Sequence, residues 1–209
     1  MSTQKQSCTP WFPTFLEKFF YAGAMLYVAF VFTRFLHELG HAAMNWVING
    51  TFTMSTLEIT WFFIIPMGTM HYDVSSLLIV LAGPFTAILF GWGIGLLWNK
   101  NALSGPCGGR NKWLRRRGIV YGALLQALWD AIYLVPVVDP MPFDGYAGGD
   151  GIEVAKIFRE MGLGTIQLGA TEVVINPAYL IATVAILGTV YVIYRVIKCT
   201  PLVCDRCRV

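Results

Sequence analysis

From Ser76 to Trp98 the sequence reads SLLIVLAGPFTAILFGWGIGLLW, 23 residues without an Asp, Glu, Lys or Arg. As a helix this run rises roughly 34 Å, enough to cross the ~30 Å hydrocarbon layer of a bilayer. Lipid offers no partner for backbone N–H and C=O groups, so the run must satisfy them internally, and a helix does so. Three more stretches read the same way: from about Phe15 or Phe19 to Val47, residues 118–138, and about residues 173–197. The expected fold is an all-α polytopic membrane protein with about four transmembrane helices. Composition agrees, with 13% charged residues and a mean hydropathy of +0.60, against roughly 25% charged in soluble domains.

The connections carry the topology. Residues 99–117 contain Lys100, Arg110, Lys112, Arg115, Arg116 and Arg117, which predicts a cytoplasmic loop by the positive-inside rule. The C-terminal tail, with Arg195, Lys198, Arg206 and Arg208, is expected on the same side, and Lys5 and Lys18 suit a cytoplasmic N-terminus. Residues 49–75 have no Lys or Arg. Their apolar piece, ITWFFIIPM, is too short to span, so a β-hairpin turning at Pro66 to Gly68 is expected there. Residues 139–170 are expected at the interface. Residues 1–18 are polar or aromatic and the first apolar run far exceeds a signal sequence, so no cleavable leader is expected. The chain reads as one embedded domain, 1–209, with a core over about 19–160 and a fourth helix and Cys-containing tail over 171–209. A net charge of +3 calls for no nucleic acid.

Inside the first span lies His37-Glu38-Leu39-Gly40-His41, the H-E-x-x-H zinc signature. Residues i and i+4 share a helix face, so His37 and His41 can present two imidazoles to one metal. Glu38 lies about a quarter turn away, placed to take a proton from an activated water without being a ligand. A catalytic zinc needs three protein ligands and one open position. Two of the chain's three histidines fall in this motif, and ionisable residues in a membrane helix mark function by default.

HELGH in a long first hydrophobic helix, an expected hairpin, then 81-LAGPFTAILFG-91, then a helix ending in Pro-rich and Asp-Gly segments together resemble the site-2 protease family of intramembrane zinc metalloproteases. The resemblance covers about residues 19–160. It implies a three-helix catalytic core, a Zn2+ cofactor, Glu38 as general base, a membrane-spanning protein as substrate, and a third ligand from an Asp-Gly motif. The chain departs from the family pattern by carrying two such pairs within 133-YLVPVVDPMPFDGYAGGDGIEV-154. It departs again in its charge distribution, which sets the motif nearer the face opposite the cytoplasm.

Of the two aspartates, Asp150 is favoured as the third ligand over Asp144. After Asp150, Val154 and Ile157 recur at helical spacing, so the Asp-Gly pair begins a helix that Asp150 can also cap. Gly148 and Gly149 let the chain turn sharply before it. Asp144 has the proline lead-in but is followed by Tyr-Ala-Gly-Gly, and its alternative role is a turn residue. Asp139, Asp130 and His71 complete the candidates.

Asp130, in the middle of the third span, suits a partner for a ligand histidine or for Arg34. Arg34 is spaced i,i+4 from Glu38 and can pair with it or snorkel. Asn176-Pro177 is expected to bend the fourth span and turn a polar group toward the cavity. Cys199, Cys204 and Cys207 in a cytoplasmic tail are expected as free thiols rather than disulfides, alongside Cys8 and Cys107. The rival function is a non-catalytic membrane scaffold or metal-binding protein on the same bundle. Such a protein has no need of Glu38 between the histidines.

Overall fold

The computed structural model describes residues 14–50, 73–98, 110–136, 150–163, 165–168, 171–174 and 176–199. Helix α1 runs Phe15–Asn49. It opens with a reciprocal cap, in which the Thr14 hydroxyl accepts from the Glu17 N–H and the Glu17 carboxylate accepts from the Thr14 N–H. It closes at Gly50, whose φ of 67° few residues but glycine adopt readily, with the Gly50 N–H donating to the Trp46 carbonyl. Helix α2, Val74–Gly93, is capped by Asp73, which accepts from the Ser76 N–H at 2.7 Å, and continues as a π-helical turn over Ile94–Trp98. Helix α3 is Arg110–Tyr133, α4 is Asp150–Glu160 and α5 is Pro177–Cys199.

Helix directions follow from which residues meet. Gly40 of α1 sits against Ala82 and Thr86 of α2, and Phe32 meets Phe90 further back, so these two helices are antiparallel. Gly118 lies on Ala22 and Gly122 on Leu26, so α3 runs parallel to α1. Along α5, Ala182 and Ala185 pack with Ala127, Ala131 and Leu134, while Val192 and Val196 pack with Val120 and Leu124. Helix α5 is therefore antiparallel to α3. Up, down, up, down is the order the four apolar stretches implied.

Among the described residues, three helices are long and apolar enough to cross a membrane, Phe15–Asn49, Val74–Leu97 and Pro177–Lys198. They make the chain an integral, multi-pass membrane protein. The expected third span, now α3, is not among them. The reason is its place in the bundle. Val120, Ala123, Leu124, Ala127, Ala131 and Leu134 are all at most 1% exposed, so most of this helix meets protein, with Leu125, Trp129 and Ile132 left exposed, and it tolerates a less apolar sequence.

The expected hairpin turning at Pro66 to Gly68 lies outside the described residues. A two-stranded antiparallel hairpin does occur, but between α4 and α5. Strand β1, Thr165–Leu168, pairs with β2, Thr171–Val174, from Thr165 opposite Val174 to Leu168 opposite Thr171. Residues 173–174 therefore belong to a strand, and the fourth helix starts at Pro177. Helix α4, expected at the interface, instead buries Val154, Ile157 and Phe158 in a cluster with Val80 and Ala178.

Candidate metal centre

Helix α1 turns Thr33, His37, Glu38 and His41 into the bundle, and all four are buried. They sit on successive turns, with His37, Glu38 and His41 about 18 Å or less from the helix's C-terminal end at Asn49, by the 1.5 Å rise per residue. Helix α2 makes room for them through small residues. A Cβ at Gly83 would collide with the His41 ring, and one at Gly40 would strike the Ala82 carbonyl.

Each histidine is fixed by the nitrogen that faces away from its neighbour. His41 Nδ1 lies 2.8 Å from the Ile79 carbonyl oxygen. A carbonyl only accepts, so Nδ1 donates and a neutral ring keeps a bare lone pair on Nε2. His37 Nδ1 lies 3.1 Å from Asp130 Oδ1, off the straight line of a good hydrogen bond. The carboxylate there still favours a proton on Nδ1 and leaves Nε2 bare as well. Asp130 is held in turn by Gln126, whose Nε2 donates to Oδ1 at 3.0 Å. Both side chains are fully buried.

The two bare Nε2 atoms face one another at 3.0 Å. Asp150 adds its carboxylate, with Oδ2 3.2 Å from His37 Nε2 and Oδ1 3.6 Å from His41 Nε2. Three electron-pair donors thus converge within 4.8 Å of one another, and with the rings in these tautomers no hydrogen lies between them. Such an arrangement repels itself unless a cation sits at its centre. For zinc bonded at 2.0–2.1 Å, the edge of a tetrahedron is roughly 3.3 Å. The Nε2–Nε2 distance of 3.0 Å and the 3.2 and 3.6 Å to the two Asp150 oxygens are of that order.

Charge points the same way. Glu38, Asp130 and Asp150 surround the histidines, while among the described residues Arg34 brings the one positive charge to them. With neutral imidazoles the cluster carries two uncompensated negative charges in a poorly solvated interior, and a dication neutralises it. Burial pushes the Asp150 carboxyl up, but when the rings carry protons instead, the positive charge on His37, then His41 and Arg34, outweighs burial and pulls it down to about 2. Asp150 is therefore a carboxylate at neutral pH, the form a metal binds. This His/His/Asp cluster can hold a divalent metal inside a helical membrane protein.

The second half of the Asp-Gly pair explains how Asp150 arrives there. A Cβ at Gly151 would run into the backbone of Tyr133 and Leu134, so only glycine lets α4 begin on the end of α3. Asn176 then ties α4 to α5. Its Nδ2 donates to the Ala155 carbonyl at 3.0 Å while its Oδ1 accepts from the Ala178 N–H. Asn176-Pro177 thus caps and starts α5 instead of bending it, and its amide goes to α4 rather than toward the histidines.

Glu38 Oε1 lies 4.0 Å from His37 Nε2 and 2.8 Å from Arg34 Nη2. The structure brings His37, Glu38, His41, Asp150, Asp130 and Arg34 together. Asp144, Asp139, His71, Cys8, Cys107, Cys204 and Cys207 lie outside the described residues, and Cys199 is the last residue of α5. Sequence reasoning missed Gln126 and the Ile79 carbonyl. The i,i+4 pair in 126-QALWD-130, polar at both ends within an apolar helix, was the signal for the first. Nothing in a sequence marks which backbone carbonyl will face a ring. No protein-family model, curated protein or solved structure matches this chain.

Proposed function

We propose that this chain is an intramembrane zinc metalloprotease of the site-2 protease kind, hydrolysing peptide bonds within membrane-spanning helices. The observation that carries the reading is the convergence of His37 Nε2, His41 Nε2 and the Asp150 carboxylate beside Glu38. A zinc ion there supplies a Lewis acid for the scissile carbonyl and makes water a nucleophile near neutral pH, leaving room for it with only three protein ligands. His37, His41 and Asp150 hold the ion, and Asp130 with the Ile79 carbonyl aims the two rings. Glu38 Oε1 takes the proton from the attacking water and passes it to the departing amine, so the carboxylate ends as it began.

The arrangement answers why a hydrophilic motif lies in an apolar helix. A scissile bond within the membrane needs its base and its water at that depth, behind protein rather than lipid. A substrate helix buries its own carbonyls, so it must unwind first, and single-pass helices weakened by Gly or Pro fit that demand. Arg115–Arg117 on α3 and Lys198 on α5 lie at the other end of the bundle from the histidines, as the helix pairings require. With the basic loop 99–117 and the C-terminus cytoplasmic, the site opens toward the opposite face.

Replacing Glu38 by Gln tests this. The variant is expected to bind one zinc per chain, as the wild type does, and to cleave a single-pass substrate at least 100-fold more slowly, the usual contribution of a general base. Undiminished cleavage overturns the mechanism. Zinc bound equally by wild type and E38Q, with neither cutting any helix, makes the chain a metal-binding scaffold instead.

A further inference from the structure

Arg34 stands one turn before the motif, at a depth where a charged side chain is costly. Its side chain is 17% exposed and its guanidinium has two carboxylates to hold. Nη2 lies 2.8 Å from Glu38 Oε1, and Nη1 lies 3.6 Å from Asp130 Oδ1. That same Oε1 is the atom 4.0 Å from His37 Nε2, and that same Oδ1 is the atom 3.1 Å from His37 Nδ1. One planar group thus lies at ion-pair distance from both the base and the carboxylate that orients a histidine. Both carboxylates flank the same imidazole, one at each nitrogen.

A glutamate side chain turns about three bonds, and an apolar interior offers it few alternative partners. Left unheld it samples positions that are useless for proton transfer, and a displacement of about 1 Å can cost on the order of 100-fold in rate. The guanidinium removes that freedom. Its fork of N–H groups reaches two carboxylates at once, which the single ammonium of lysine does poorly. We propose that Arg34 is a positioning residue for the base, fixing Glu38 against the His37–Asp130 pair. This rests on the reading of Glu38 as general base.

The test uses the full chain, loaded with zinc in liposomes. Its substrate comes from a panel of single-pass helices with Gly or Pro at successive depths, taken as the one cut by the wild type. R34M keeps the length and apolar stem of the side chain and removes the charge. It is expected to lower kcat roughly 100-fold while KM and zinc content stay at wild-type values, and R34K is expected to recover about tenfold of that loss. A role in packing alone moves other quantities, so zinc and folded protein falling with kcat, alike in Met and Lys variants, overturns the inference. So does R34M at the wild-type rate while E38Q is dead. Undiminished cleavage in E38Q instead removes Glu38 as the base and overturns the mechanism on which this inference rests. Should R34M fail to fold, R34M/D130N restores the charge balance and is compared with D130N, and equal rates for those two also overturn the inference.

Discussion

Helices α1 and α3 run side by side and touch in two different ways along their length. Near one end the contact is made mainly by shape, with Gly118 seated on the Ala22 carbonyl and Gly122 on the Leu26 carbonyl, so close that a Cβ has no room. Near the other end it is made by charge, with Arg34, His37 and Glu38 of α1 facing Asp130 of α3. At the glycine end small residues let the two backbones touch, and the charge beside them, Arg115, lies over the Tyr21 ring across the same contact. The charged end has more carboxylates than cations and converging lone pairs. One pair of helices therefore joins a close-packed half to a half that a bound cation would stabilise.

Removing zinc breaks that comparison hardest. With free zinc held 1,000-fold above its Kd, binding adds about 4 kcal/mol to stability, and chelation removes it. The loss is expected to be local. Amide exchange should accelerate over Thr33–Ala42 of α1 and the start of α4, while Ala22–Ala29 exchanges as before. Acceleration along the whole of α1 would mean that the two halves open as one unit.

The converse change is made at the glycine end. Gly122→Ala puts a Cβ into the Leu26 carbonyl and 3.0 Å from the Ala29 Cβ. Backbone cannot yield as a side-chain tip can, so the cost is expected in the upper part of the overpacking range, about 2–3 kcal/mol in thermal or denaturant unfolding. Zinc affinity of the folded protein should stay within threefold of wild type. A tenfold loss would show that the close-packed half also sets the geometry of the centre.

Much of this was legible beforehand, and for physical reasons. His37 and His41 were readable because an i,i+4 pair has one geometry on a helix. Asp150 was readable because Val154 and Ile157 continue a helical period from it, and α4 does begin at that residue. Other features were not readable, because they depend on what surrounds a residue. The place of α3 at the centre of the bundle is set by its neighbours, while hydropathy reports only its own side chains. The hairpin at 165–174 was hidden by its two four-residue strands, TIQL and TEVV, of which the second runs toward an apolar helix and was read with it. The need for glycine at position 83 appears only when the His41 ring is seen to occupy the space of a side chain.

The finest division of the comparison runs through Asp130, which belongs to the charged end yet touches the metal donors only through His37. Two of its properties act on that ring, the acceptor that keeps hydrogen on Nδ1 and the negative charge that makes Nε2 a stronger donor. Asn keeps an acceptor at the same place and loses the charge. Ala loses both and also leaves Gln126 Nε2 without its partner. Loss of such a supporting group typically weakens metal binding 10–100-fold, so the two variants should divide that range. Asp130→Asn is expected to weaken zinc binding about tenfold, near 1.4 kcal/mol, and Asp130→Ala about 100-fold. Competition with a chelator of known affinity reads both values. Equal losses would assign the whole effect to charge. A loss in Ala alone would assign it to the hydrogen bond, and then the 3.1 Å contact off the straight line is a true donor–acceptor pair that tightens when the metal binds.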